Sequence, residues 1–153
     1  MGFLQEIMKN QVLVSSVTGW VVAQFLKTLV DVALNKSFTP ERLVGSGGMP
    51  SSHSATVCAL AVSSGFCYGL SSFEFAVSFV LAAIVMYDAI GVRQETGKQS
   101  KLLNKIMEQN LLKLDNHEFQ KRLKEFVGHT PLQVLAGAVL GMILAVIVNF
   151  YYV

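Results

Sequence analysis

Long apolar runs broken by short polar segments dominate the chain. A hydrocarbon core of about 30 Å requires roughly 20 mostly apolar residues per crossing helix. Four runs of that size stand out, at about 12–34, 52–70, 73–92 and 131–152. Between the third and fourth lies a charged insert, 93–128, which holds Lys98, Lys101, Lys105, Lys113, Lys121, Arg122 and Lys124 but keeps apolar residues at helical spacing. Leu103, Met107, Leu111 and Leu114 form one stripe; Asp115 and Asn116 interrupt it, and Phe119, Leu123, Phe126 and Val127 begin a second. The spacing predicts two short amphipathic helices at the membrane surface, or equally a small soluble helical hairpin. The predicted fold is all-α: one integral membrane helical bundle over 1–153, with about four transmembrane helices plus one or two amphipathic helices in a cytoplasmic insert.

Small residues recur at four-residue spacing in the second run (Ala55, Ala59, Ser63, Cys67) and the fourth (Gly137, Gly141, Ala145). Such faces let helix backbones approach closely in lipid, so they are read as packing. The Gly137–Gly141–Ala145 face leaves open a homo-oligomer as well as packing within one subunit. Composition agrees with a membrane protein: 52% of the 153 residues are hydrophobic and only 14% charged, against about 25% charged in soluble domains. A net charge of +2 argues against a nucleic-acid partner. Cys58 and Cys67 lie in one apolar stretch without metal spacing and read as packing residues. The first run contains Lys27 and Asp31 and lacks a small-x-small cleavage site, so it reads as a retained helix rather than a signal peptide.

Polar residues near a span are expensive in lipid and point to function. Lys27 and Asp31 lie late in the first run, His53 opens the second, Asp88 and Arg93 close the third, and His129 precedes the fourth. In a chain that crosses back and forth, all six fall on one membrane face. Of the 12 Lys and Arg, all but Lys9 fall on that face as well, which the positive-inside rule assigns to the cytoplasm.

The stretch from Gly45 to Ser54, with Gly45, Gly47, Gly48, Pro50, Ser51 and Ser52, is a glycine loop running into a helix start. Loop amides and a helix N-terminus attract anions, phosphate foremost; the bland alternative is a turn with an N-cap. The loop lacks a Gly-Lys-Ser/Thr ending, so nucleotide binding is not implied. His53 and His129 place two imidazoles among Lys27, Arg42 and Arg93, a set suited to phosphoryl transfer. One imidazole attacks phosphorus, the other protonates the leaving alkoxide, and the cations offset oxygen charge. His117, inside the charged insert, reads as a solvated bystander.

Gly-Gly-Met-Pro-Ser-Ser-His-Ser-Ala at 47–55, Tyr-Asp-Ala-Ile-Gly-Val-Arg at 87–93 and Gly-His-Thr-Pro-Leu-Gln at 128–133 resemble the divergent branch of the type-2 phosphatidic acid phosphatases, relatives of acid phosphatases and vanadium haloperoxidases. The segment Ala23-Gln24-Phe25-Leu26-Lys27 resembles that branch's lysine segment, with Arg42 before the glycine loop. The resemblance implies that His129 is a nucleophile forming phosphohistidine and that His53 is the acid that later activates water. It assigns the phosphate to Lys27, Arg42, Ser51, Ser52 and Arg93. Ser52 replaces the broader family's glycine, Arg93 lies far upstream of His129, and Gln133 stands where an orienting acid is usual. Gln133 also reads as the end of a capping box, Thr130-Pro131-Leu132-Gln133. Asp88 would then be the acid that orients His129, or else a salt-bridge partner of Lys27 or Arg93.

The resulting expectation is a metal-independent phosphomonoesterase without cofactor, acting at the cytoplasmic membrane face on a lipid phosphate such as phosphatidylglycerophosphate or phosphatidic acid. Its rivals are a non-catalytic protein that binds or carries phosphorylated lipids, and vanadate-dependent halide oxidation.

Overall fold

The computed structural model describes residues 2–35, 48–109, 123 and 128–152. These form six helices: α1 (Phe3–Lys9), α2 (Gln11–Asn35), α3 (Ser52–Tyr68), α4 (Phe73–Ile90), α5 (Val92–Glu108) and α6 (Pro131–Tyr151). Helices α2, α3, α4 and α6 match the four apolar runs to within two residues at most ends. The short α1 was not announced by the hydropathy pattern. Of the expected insert, α5 carries Leu103 and Met107 of the first stripe; Leu111, Leu114, His117, Arg42 and the second stripe apart from Leu123 lie outside the described residues.

Helix α3 sits at the centre, packed against α2, α4 and α6. Its alignment with α6 keeps one register from end to end: Ser51 faces Gly137, Ala55 faces Gly141, and Ser63 meets Asn149. The two helices therefore run parallel. Helix α2 runs antiparallel to them, pairing Gln11 with Cys67, Ser15 with Ser63 and Gly19 with Ala59. A side chain at Gly137 or Gly141 would collide with the carbonyl of Ser51 or Ala55, so these glycines set how closely α6 approaches α3.

The interior is built from small residues. Ala55, Ala59, Ala145, Ser15, Ser51, Ser54 and Ser63 are buried, while Phe79, Ile84, Leu135, Ile143 and Phe150 point outward. That arrangement inverts the pattern of a water-soluble protein and suits a lipid solvent. Among the described residues three helical stretches are long and apolar enough to cross a membrane: Gln11–Ala33, Phe73–Glu108 and Pro131–Tyr151. Helix α3, over the second of the four expected runs, is shorter, with 17 residues, and buries Ser52, Ser54, Ser63 and Ser64. Protein surrounds α3 on three sides, so Ser63 meets Ser15 and Asn149 of the neighbouring helices rather than acyl chains. The Gly137–Gly141–Ala145 face is likewise covered by α3 within the subunit and offers no surface to a second copy.

Helix ends follow from local chemistry. Ser51 caps α3 by accepting from the Ser54 amide, and Gly69, at φ +86°, ends that helix. Ser72 caps α4 by accepting from the Phe75 amide at 3.1 Å. Thr130 and Gln133 form the expected capping box on α6, with Pro131 in the first turn. Each cap satisfies amides that have no partner inside the helix.

Candidate functional site

The antiparallel register of α2 and α3 brings Lys27 level with the start of α3, where its buried alkyl chain lies against Gly48. Gly48 has φ +86°, a conformation glycine adopts without steric cost. The start of α6 reaches the same end of the bundle. His53, exposed on the first turn of α3, and His129, 3% exposed, face each other there with ring centroids 6.3 Å apart and planes at 61°. Together with Val85, Ala89, Arg93 and Gly128 they line a cleft. Lys27, Arg93 and Asp88 act electrostatically on His53.

Four elements hold His129 in place. Its amide donates to the Ala89 carbonyl near the end of α4 at 3.1 Å. Its Nδ1 lies 3.3 Å from Gln133 Oε1, which also accepts from the Thr130 amide at 3.0 Å. The Thr130 N–H needs an acceptor, so the Gln133 atom facing it is the oxygen. That oxygen can only accept from His129, so Nδ1 carries the imidazole proton and Nε2 keeps its lone pair. The Gly48 carbonyl is a further acceptor beside the ring. Burial pushes the His129 pKa below its ordinary 6.5, His53 and Lys27 push the same way, and the two acceptors oppose them.

Gly128 supplies the fourth support. It has φ +92°, and a Cβ there would lie 2.5 Å from the Gln94 amide nitrogen. The chain entering His129 thus rests directly on the backbone of Arg93 and Gln94.

The predicted residues do not all come to the cleft in their expected roles. Asp88 bonds Arg93 Nε at 2.6 Å, with both side chains substantially exposed. Of the two readings of Asp88, the salt bridge is therefore the observed one, and Gln133 rather than Asp88 meets His129. The cap and orienting roles of Gln133 prove compatible, because one carbonyl oxygen serves both. Ser51 turns its hydroxyl inward, where Ser54 donates to it from both its amide and its hydroxyl, and its own amide donates to the Gln133 carbonyl at 3.1 Å. Ser51 thus joins the start of α3 to α6, and Ser52 beside it is buried. Lys27 and Arg93 reach the site; Arg42 lies outside the described residues. Among the described residues no three His, Cys, Asp or Glu side chains gather in a way that would hold a metal ion.

Sequence reasoning missed Asn104. Its buried side chain donates to the Leu123 carbonyl at 2.9 Å and accepts from the Leu123 amide at 3.0 Å, tying the segment that leads to His129 onto α5. The only trace in the sequence is an asparagine on the face of α5 that neither the apolar nor the lysine stripe uses.

A family model described as the divergent PAP2 family matches residues 8–144. The chain belongs to that family. It is also similar to YuiD, an uncharacterized membrane protein of Bacillus subtilis (strain 168), at 34% identity over 156 aligned residues that cover 96% of this chain and 99% of the relative. No solved structure matches. Membership in the family and the apolar helices make this a helical membrane protein related to the phosphatases for which the family is named.

Proposed function

We propose that the chain is a phosphomonoesterase for lipid phosphates, with four membrane crossings and a site at the cytoplasmic face. The observation that carries this reading is the pair of imidazoles, His53 and His129, 6.3 Å apart beside Lys27 and Arg93. Two imidazoles that face each other in one cleft can supply a nucleophile and a proton donor to the same phosphate.

His129 Nε2 attacks phosphorus, forming the P–N bond as the P–O ester bond breaks. Protonated His53 gives its proton to the departing lipid alkoxide. His53, now neutral, takes a proton from water, whose oxygen attacks phosphorus and breaks the P–N bond, releasing inorganic phosphate and restoring His129. Gln133 Oε1 holds the Nδ1 proton throughout. Lys27 and Arg93 offset charge on the equatorial oxygens, and Arg42 is proposed to join them from the loop before α3. A glycerol-based lipid phosphate made on the cytoplasmic leaflet, phosphatidylglycerophosphate or phosphatidic acid, fits a site on that side.

A second reading, binding or carriage of phosphorylated lipids without turnover, is favoured by one observation: a neutral amide, not a carboxylate, meets His129, so the imidazolium gains no charge partner there. Phosphate release from a panel of lipid phosphates in EDTA, by the detergent-purified protein and its His129→Ala and His53→Ala variants, separates the two. The enzyme reading expects release by the parent protein and a loss of 100-fold or more, in line with acid–base contributions of about 10²–10⁴, in each variant. Binding of the same lipids without release would favour the second reading.

A further inference from the structure

We infer that α5 lies in the membrane interface and gathers anionic phospholipid beside the histidine cleft. Helix α4 has 18 residues, about 27 Å at the helical rise, which nearly uses up the hydrocarbon core. The next helix, α5, must therefore lie at or beyond the headgroups. Gly91, between them, leaves helical geometry with φ −89° and ψ −96°, allowing the chain to change direction.

Three faces of α5 then have three different tasks. Gly97 and Asn104 are buried, and Asn104 bonds the backbone of Leu123. Val92, Leu102 and Leu103 are 65%, 61% and 46% exposed, and among the described helices α5 packs only against α4. Held out in water, Leu102 and Leu103 would stay unburied; lying in the interface, they enter the acyl boundary, while Val92 continues the outward apolar surface of α4 at Ile84 and Tyr87. Lys98, Lys101 and Lys105 recur at helical spacing beside Leu102. Lys98 also bonds Glu95 at 2.6 Å, an exposed pair of the kind that costs little to exchange for another anion. Positive charge at the headgroup level matches the phosphodiester of an anionic lipid.

Because Arg93, in the first turn of α5, lines the cleft, lipids gathered along that helix stand next to His53. The inference rests on the proposed function only in making those lipids the charge class of the substrate; its test reads lipid contact without turnover, so the two can fail separately. The full chain has one tryptophan, so a Trp20→Phe, Leu102→Trp protein carries a single reporter on α5. Reconstituted in vesicles, it should show blue-shifted emission and be quenched by lipids brominated near the headgroup. Brominated phosphatidylglycerol should quench about twofold more than brominated phosphatidylcholine at equal mole fraction, and the preference should vanish when Lys98→Gln, Lys101→Gln and Lys105→Gln are added. Emission typical of water with quenching by iodide would overturn the interfacial placement, as would shielding from iodide without any quenching by lipid, the sign of a protein partner. Equal quenching by the two lipids would overturn the selectivity.

Discussion

At the level of single residues, a carboxamide couples the α6 cap to the cleft. Gln133 binds the Thr130 amide and His129 with one oxygen, closing the α6 cap and choosing the imidazole tautomer together. The sequence offered Asp88 both as the orienting acid and as a salt-bridge partner of Lys27 or Arg93; spacing alone could not choose between them, and the structure pairs it with Arg93. Asn104 was invisible for a similar reason: an amide that binds backbone 19 residues away leaves no periodic trace. The protonation of His129 gives a pH prediction. Its folded-state pKa is lowered from 6.5, so as pH falls the unfolded chain takes up the proton first. The stability contributed by the neutral ring is therefore complete above 6.5 and is lost as pH falls from there toward the folded value. Unfolding of the protein in mixed micelles should show this loss, and His129→Asn should flatten it; an unchanged pH slope in the variant would contradict the assignment. If His129 is the nucleophile as proposed, the acid limb of phosphate release should on the same grounds fall below 6.5.

At the scale of the helix, four-residue spacing was the most legible feature. Ala55, Ala59, Ser63, Gly137 and Gly141 were recognisable as packing residues because only small side chains allow close approach in lipid, and the structure places them in contact. What the run at α3 did not show is its place. Hydropathy measures whether a helix can face lipid, whereas α3 faces α2, α4 and α6 and buries four serines, so its central position could not be read from its composition. The far end of the bundle follows the same logic. Asn149 donates to Ser63 Oγ at 3.0 Å and to the Ala145 carbonyl at 2.7 Å, while Ser15 donates to Ser63 at 3.1 Å, linking α2, α3 and α6. Gly141→Ala would press a methyl group into the Ala55 carbonyl, and overpacking of this kind costs about 1–3 kcal/mol. Since α3 carries His53 and α6 begins just after His129, phosphate release should fall along with stability. A Gly141→Ala protein as stable and active as the parent would show that the register is not set there.

At the scale of the whole molecule, helix direction explains why scattered polar residues form one site. Helices α2 and α4 end where α3 and α6 begin, so Lys27, Arg93, His53 and His129 meet at one end, while Gln11, Ser63 and Asn149 meet at the other, where Tyr152 Oη donates to the Met8 carbonyl at 2.9 Å. Alternation of spans was enough to anticipate this gathering from the sequence, since it depends only on the order of helices. The parallel alignment of α3 and α6 that sets the distance between the imidazoles could not be anticipated, because it depends on which helix occupies the centre. The proposed role of His129 at this convergence is that of a nucleophile, and the experiment for it is to trap the covalent intermediate. Protein turning over a lipid labelled in its phosphomonoester group with ³²P should, after a quench in alkali, carry acid-labile label that peptide mass spectrometry assigns to His129 and that His129→Ala lacks. Rapid hydrolysis with no label on His129 would contradict the mechanism.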